Sequence, residues 1–359
     1  MLNRFFLIAV LLFSLQICAR AADDAAVLIE KGHFKRAEVV LKQRLQNAPN
    51  DATSYCELSK VDLAFQRWDD AIEHAEKAVS LDDKSADAHV ALLDSLGAKL
   101  GAPGTGMFQR VSLGHRFKNE SAVALQKDPN NVTANEDMIQ FYLQAPSIAG
   151  GDKNKADQLA DHMVQVNPVQ GYLLKIEIAT QEKRNGELEA LMQQAVKADP
   201  KNYDARVQAA SFYLGQGGES LEEGEEQAEE AVRLDPDRVA GYSILAQVYA
   251  TEGRWKELDS VVAQAEKAVP DDLSPYYHAA RIIVVKGPSQ ELERAEKYIR
   301  RYLAQPAEGN EPPLGAAHWR LGLILEKQGH RDLAKQEMQQ AVKLDPEFEP
   351  AKVDLKRLQ

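Results

Sequence analysis

Apolar and small residues recur along almost the whole chain at helical spacing, with polar residues filling the positions between them. The stripes Ile244, Leu245, Val248, Tyr249 and Leu321, Ile324, Leu325 each line one face of a helix with 3.6 residues per turn. The stripes come in pairs. A short turn separates the members of a pair at Gly32-His33-Phe34, Gln66-Arg67-Trp68, Gly253-Arg254-Trp255 and Gly329-His330-Arg331. The second member ends in one phrase: AVSLDDK (Ala78–Lys84), ALQKDPN (Ala124–Asn130), AVKADPK (Ala195–Lys201), AVRLDPD (Ala231–Asp237) and AVKLDPE (Ala341–Glu347). Proline cannot continue a helix and pushes its predecessor out of the helical region, so each phrase marks a stop. The aspartate before it is suited to turn hydrogen bonds.

With Pro49, Asp83, Pro129, Pro168, Pro200, Pro236, Pro270, Pro306 and Pro346 as anchors, the spacings are 34, 46, 39, 32, 36, 34, 36 and 40 residues. Five residues before the anchor stand Ala78, Ala124, Ala195, Ala231, Ala265 and Ala341; twelve before it stand Ala37, Ala71, Ala156 and Ala334. A small side chain at a fixed place on a helix marks a close approach to another helix. Each unit therefore reads as helix–turn–helix, able to bury its apolar faces only by stacking on its neighbours.

These residues resemble the tetratricopeptide repeat, which carries small residues at its eighth, twentieth and twenty-seventh positions and proline at its thirty-second. The final unit matches through Leu321-Gly322, Gly329, Ala334, Ala341 and Pro346, and the seventh through Leu245-Ala246, Tyr249, Gly253 and Pro270, with Leu258 at its twentieth position. The eighth departs furthest, with Arg294 and Arg301 where small residues are expected. The resemblance implies an all-α fold: a right-handed α-solenoid of about nine such repeats over residues 22–346, closed by a C-terminal capping helix over 347–359 with apolar Phe348, Val353, Leu355 and Leu358. Two inserts interrupt it, near 101–112 (from Gly101-Ala102-Pro103-Gly104-Thr105-Gly106) and near 145–152 (Ala145-Pro146-Ser147-Ile148-Ala149-Gly150-Gly151), where long connectors or a binding lip are expected. The stretch QFYLQAPSIAGGDKNKADQLA is similar to a segment of exported bacterial repeat proteins of unassigned function.

The N-terminus carries one positive residue, Arg4, then an apolar run Phe5–Leu15 and small residues ending in Ala19-Arg20-Ala21. That is the layout of a secretory signal peptide over residues 1–21, with a mature start at Ala22. The run is shorter than the ~20 residues of a membrane span, and no other stretch is apolar enough, so the mature chain is expected to have no transmembrane span. Cys18 offers a rival reading as a lipid-anchored residue, but bulky Ile17 stands where such signals carry a small one. The expected location is the periplasm. Removing Cys18 with the signal leaves Cys56 alone, which excludes an intramolecular disulfide and a zinc site built from paired cysteines.

The chain carries 55 acidic and 43 basic residues, a formal net charge of −12, which argues against a nucleic-acid partner and against electrostatic docking on anionic lipid. Catalytic patterns are missing. The Gly101–Gly106 loop follows a helix and lacks the Lys-Ser/Thr of a phosphate loop. The eight histidines (His33, His74, His89, His115, His162, His278, His318, His330) form no metal-binding pair, and His33 and His330 share a turn position. No G-x-S-x-G occurs, and Cys56 has no helper. The acidic run Glu219–Glu230 keeps Leu221, Ala228 and Ala231 at helical spacing and reads as a solvated face. No cofactor and no metal are expected, and once the repeats are assigned no stretch remains for a catalytic domain.

In the resembled family the first helices line a groove that holds a peptide or partner helix. Carried over position by position, its groove residues fall here on Glu136, Gln140 and Gln144 of the fourth unit, Lys175 and Glu182 of the fifth, and Ser243 and Gln247 of the seventh. They continue on Tyr277 and Arg281 of the eighth and Trp319 and Glu326 of the ninth. Core packing is the competing role for Tyr277 and Trp319. Mixed polar character suits hydrogen bonding to a peptide backbone. The expected function is an exported, non-catalytic scaffold binding a protein partner through this groove, in envelope assembly or secretion. The alternative is a carbohydrate-polymer-binding or enzyme-accessory protein of the envelope, using Tyr277 and Trp319.

Overall fold

The computed structural model describes residues 24–358, so the expected signal segment and Cys18 lie outside the described residues. Nineteen α-helices and no strand occur among those residues: α1 (Ala25–Glu30), α2 (Phe34–Asn47), α3 (Ala52–Ala64), α4 (Trp68–Leu81), α5 (Ala86–Gly101), α6 (Met107–Lys127), α7 (Val132–Gln144), α8 (Lys153–Val166), α9 (Pro168–Gln181), α10 (Asn185–Ala198), α11 (Tyr203–Gln216), α12 (Leu221–Leu234), α13 (Ala240–Glu252), α14 (Trp255–Ala268), α15 (Ser274–Lys286), α16 (Leu292–Leu303), α17 (Leu314–Lys327), α18 (Arg331–Leu344) and α19 (Glu349–Arg357). Consecutive helices pack in pairs, odd-numbered first helix against even-numbered second, as an all-α solenoid requires. The chain divides into two compact units, residues up to 159 and from 160, the division falling within α8. In the first unit α1, α3, α5 and α7 lie side by side; in the second α11, α13, α15, α17 and the cap α19 do.

Local chemistry explains the helix ends. Eight of the nine anchors stand two residues beyond the last residue of a second helix. There the preceding aspartate closes an Asx turn: Asp82, Asp128, Asp199, Asp235 and Asp345 each accept the backbone N–H two residues on, at 2.9–3.1 Å. The next first helix then starts on a side-chain cap, with Ser85, Asn131 and Asn202 accepting from Ala88, Ala134 and Ala205 at 3.2, 3.0 and 2.9 Å. Inside five of the pairs, the turn places the residue two before the second helix in the left-handed region: Gly32, Gly253 and Gly329, with Gln66 and Lys183 taking the same conformation against their steric preference.

The small residues sit where helices touch. Ala37, Ala71, Ala75, Ala78, Ala124, Ala195, Ala231, Ala334 and Ala341 are fully buried. A Cβ added to Gly322 would meet Cε of Met338 at 2.8 Å and the carbonyl of Ala334 at 3.1 Å, so the small residue of a first helix faces the small residue of its partner. The eighth repeat shows why Arg294 and Arg301 stand at such places by count. Its register is displaced by one: Ala295 is fully buried, Ile299 and Tyr302 follow it inward, and the arginines face outward. Arg294 grips Asp259 with two hydrogen bonds of 3.2 Å, and Arg301 pairs with Glu266, so both tie α16 to α14.

Three expectations change. The first insert is only in part a loop: residues 102–106 connect, and the remaining length extends α6 by helical turns to 21 residues. The second, 145–152, is a 3-10 turn at Ser147–Ala149 flanked by short links. Val353 of the cap faces solvent at 63% exposure; Ala351 and Leu358 are its buried residues. The fifth repeat is short because Pro168 both follows α8 and opens α9, with Asn167 capping α9 by accepting from Gln170. The two backbones come so close that a Cβ on Gly171 would stand 2.2 Å from the amide nitrogen of Val164. Gly171→Ala is therefore expected to destabilise by at least about 2 kcal/mol in urea unfolding. Gly186→Ala, with open space around the new methyl group, should be neutral or stabilising. Equal effects of the two would contradict this packing.

Candidate partner-binding face

The first helices carry polar side chains at most of the carried-over positions. In the second unit these side chains are linked across three helices. Gln247 on α13 donates from Nε2 to the carbonyl of Ser243 at 3.1 Å, and the Oγ atoms of Ser243 and Ser274 lie 3.4 Å apart. The Oε1 atom of Gln247 accepts from Arg281 on α15. Arg320 on α17 donates from Nε to the hydroxyl of Tyr277 at 3.1 Å and lies over the Tyr277 and Trp319 rings, 5.6 and 5.1 Å from their centroids. Ser243 and Gln247 are both 8% exposed. Tyr277, 6% exposed, packs against Tyr302 with ring centroids 5.4 Å apart, so its ring belongs to the core while its hydroxyl belongs to the row.

The remaining groove candidates fall elsewhere. Trp319 donates from Nε1 to Asp354 of the cap at 2.8 Å and meets Phe348 edge-on at 5.4 Å, while Glu326 accepts from Arg357 at 2.7 Å. Both hold α19 against α17. Lys175 pairs with Asp161 at 2.5 Å and Glu182 with Arg184 at 3.0 Å. In the first unit Gln144 donates to Gln140 at 2.7 Å. Glu136 joins a group that the sequence did not single out: Asp94 on α5 and Asp137 beside it on α7. Burial, reinforced by Asp94, raises the Glu136 carboxyl; burial, Asp94 and Glu136 together push Asp137 up to about 8. Asp94 is itself raised by burial, against the pull of Lys60. The Asp137 Oδ2 atom is shielded and has no hydrogen-bond partner in the protein. The first unit thus shows an acidic, proton-holding face where the second shows a cationic one.

No group of three or more His, Cys, Asp or Glu side chains among the described residues is placed to hold a metal. Cys56, 6% exposed, lines a cleft with Glu57, Lys60 and Asp87, and burial pushes its thiol up to about 11, leaving it protonated at neutral pH. No described helix is long and apolar enough to cross a membrane. Arg320, His278 and Asp137 were missed because none occupies a carried-over position; Asp94 stands eleven residues after Asp83, as Gln140 does after Pro129, but in the third unit, outside the carried-over set. For the arginine a signal existed: Arg320 and Arg281 have no acidic residue three or four places away on their own helices, unlike Arg233, which bonds Glu230.

Asp137 supplies a pH test. Its carboxyl is held neutral in the fold to about pH 8 but ionises near 3.8 when unfolded, so the unfolded state sheds its proton first and stability falls as pH rises between those values. Asp137→Asn cannot ionise. Its stability advantage over the parent should grow by roughly 1–3 kcal/mol between pH 5 and pH 8 in urea midpoints. A constant difference would refute the buried-acid assignment.

A sequence profile of the Tetratricopeptide repeat matches residues 315–348, spanning α17, its turn, α18 and the following proline. No curated protein matches this chain in sequence. Yeast Tom70 aligns with a TM-score of 0.52 at 14% identity, covering 93% of this chain and 79% of that one. A tetratricopeptide repeat protein from Parabacteroides merdae aligns at 0.45 with 14% identity over 82% and 99% of the two chains. PilW, a type IV pilus biogenesis factor, aligns at 0.46 with 16% identity over 62% and 98%. The Tom70 likeness is one of fold. Set beside the paired helices, the proline-anchored stops and the facing small residues, the profile match identifies residues 315–348 as a tetratricopeptide repeat.

Proposed function

We propose that this protein is a non-catalytic scaffold, exported to the periplasm, that binds a protein partner along the faces of its first helices in envelope assembly or secretion. The repeat fold supports a protein–protein interaction scaffold. The observation that carries the reading is the row Ser243–Gln247–Arg281 with Tyr277 and Arg320, which crosses α13, α15 and α17 and links polar groups of mixed donor and acceptor character. Such a row suits the alternating groups of a peptide backbone. The carbohydrate alternative loses support, because the aromatic faces it needs are engaged: the Tyr277 ring is packed in the core and the Trp319 ring holds the cap. The N-terminal layout supports export.

Two measurements test this. Full-length protein expressed in a bacterial host should be recovered from the periplasm with Ala22 as its first residue; an unprocessed Met1 start in the cytoplasm would overturn the export reading. Immobilised protein should retain a defined protein from a membrane-plus-periplasm extract of its source. The variant with Gln140, Lys175, Gln247 and Arg281 all changed to Ala should lose at least about tenfold in affinity for it, the equivalent of one charge-assisted contact. Equal capture by both would remove the groove assignment.

A further inference from the structure

The three most exposed large apolar side chains among the described residues stand on the two inserts of the first unit: Ile148 at 100%, Phe108 at 93% and Met107 at 80% exposure. Val111, also exposed, joins them. The inserts open at one edge, because each links a first helix to its second helix in consecutive repeats, α5 to α6 and α7 to α8. Aromatic contacts tie them together. A Cβ added to Gly150 of the second insert would stand 3.5 Å from the Phe141 ring, and Phe141 stacks on Phe117 of α6 with centroids 5.7 Å apart. Helix α6 has 21 residues against the 14 of α4 and α8, and it ends two residues before Pro129 as the regular second helices end before theirs. The additional length therefore lies at its start, where it extends the helix by about 10 Å and carries Met107, Phe108 and Val111.

The charge pattern of this edge departs from that of the chain. Residues 95–119 hold four lysines and arginines and no aspartate or glutamate, in a chain of net charge −12. Lys99 and Arg116 pair with Asp69 and Glu76 of α4. Arg110 donates to the backbone carbonyls of Thr105 at 2.9 Å and Ala102 at 3.5 Å, which leaves its charge unmatched. Lys118 is exposed, with no carboxylate within ion-pair distance among the described residues. It follows Phe108 and Val111 by ten and seven residues, so all three share the face of α6 opposite buried Leu113 and Phe117. The second insert is uncharged from 138 to 151, and Lys155 beyond it lies over the Tyr142 ring, 5.6 Å from its centroid. Asp152 is spent on the start of α8, accepting from the amides of Asn154 and Lys155 at 3.1 and 3.4 Å. The tip is convex, so whatever covers it must yield around it. A bilayer interface does: apolar side chains sink to the acyl boundary while cations meet the phosphates.

We propose that this edge, the start of α6 together with the second insert, docks the protein peripherally on a bilayer containing anionic phospholipid. Met107, Phe108, Val111 and Ile148 enter the interface, and Arg110, Lys118 and Lys155 lie at the level of the phosphates. The contact stops at side-chain depth, since no described helix is long and apolar enough to cross the bilayer. The acidic surface elsewhere is repelled by the same headgroups, which confines the contact to this edge and orients the first unit on the membrane. The inference goes beyond the scaffold reading and does not rest on it.

The test uses the chain from Ala22 onward, which keeps every described helix and prevents the apolar run Phe5–Leu15 from entering lipid itself. Flotation with vesicles of equal parts phosphatidylcholine and phosphatidylglycerol should carry at least about tenfold more protein than phosphatidylcholine alone, the excess falling as salt rises. Phe108→Ser/Ile148→Ser should weaken binding to the mixed vesicles at least about tenfold. It should melt with the parent, because both side chains are exposed. Lys118→Gln/Lys155→Gln should lose most of the preference for phosphatidylglycerol. A Phe108→Cys variant carrying an environment-sensitive dye locates the contact, since buried, protonated Cys56 leaves position 108 as the reactive thiol. That dye should brighten on the mixed vesicles, and the same dye on Val39→Cys, at an exposed site elsewhere in the first unit, should not. Absence of vesicle binding, equal binding to the two vesicle types, binding unchanged in the serine variant, or brightening at position 39 alone would each overturn the proposal. So would brightening at position 108 in lipid-free protein as its concentration rises, which would make a second copy the occupant. Capture, without vesicle binding, of a protein that the serine variant loses would give the edge to a protein partner instead.

Discussion

The close approach of helix to helix at alanine and glycine governs everything else in this molecule. No single helix here buries enough apolar area to be stable alone. Each is held because a neighbour's backbone comes near enough for dispersion contacts on both flanks. Gly322 against Ala334 and Gly171 against Val164 show the two extremes: a side-chain gap closed by a methyl group, and a backbone gap that admits no side chain at all. Fixing the helix spacing in this way also fixes which residues are left over. The polar row on α13, α15 and α17 exists because the small-residue faces of those helices are consumed in packing, and only the opposite face remains to meet a ligand.

Much of this architecture was legible in the residues. Proline and the preceding aspartate act locally, through a forbidden helical geometry and a two-residue hydrogen bond, so helix ends could be placed without knowing what the helices touch. Register was harder where repeats carry insertions. Counting back from Pro306 puts Arg294 at the helix contact, whereas Ala295 occupies it, because α16 has 12 residues where most second helices have 14 and the link to Pro306 restores only one of the two. The first insert misled in a similar way: Met107 to Ser112 carry no breaker, and they continue as helix once the Gly101–Gly106 turn is complete.

The candidate face was legible only in part, and the reason is geometric. A carried-over position says which way a residue points from its own helix, not what the neighbouring elements bring to it. Trp319 and Glu326 point toward the face, yet α19 reaches them first. Glu136 points there too, and its character is set by Asp94 from the helix before it. Arg320 stands one residue from Trp319 and escapes the pattern, although its apolar helical surroundings mark it as an arginine without an internal counter-ion. Contacts between repeats, at separations of 31 to 43 residues, decide these cases, and no short-range pattern reports them.

The cap α19 has a consequence for how copies of the chain can meet. A stack of identical-looking units ends, in principle, on a surface ready to receive another unit, and such a surface invites head-to-tail growth into filaments. Here the last first-helix is already occupied by Phe348, Ala351 and Leu358, locked by Trp319–Asp354 and Glu326–Arg357. The outer side of α19 shows Lys352, Val353, Lys356 and Arg357 to solvent. The nine-residue α19 thus covers, from within the chain, the α17 surface on which a second copy could otherwise stack.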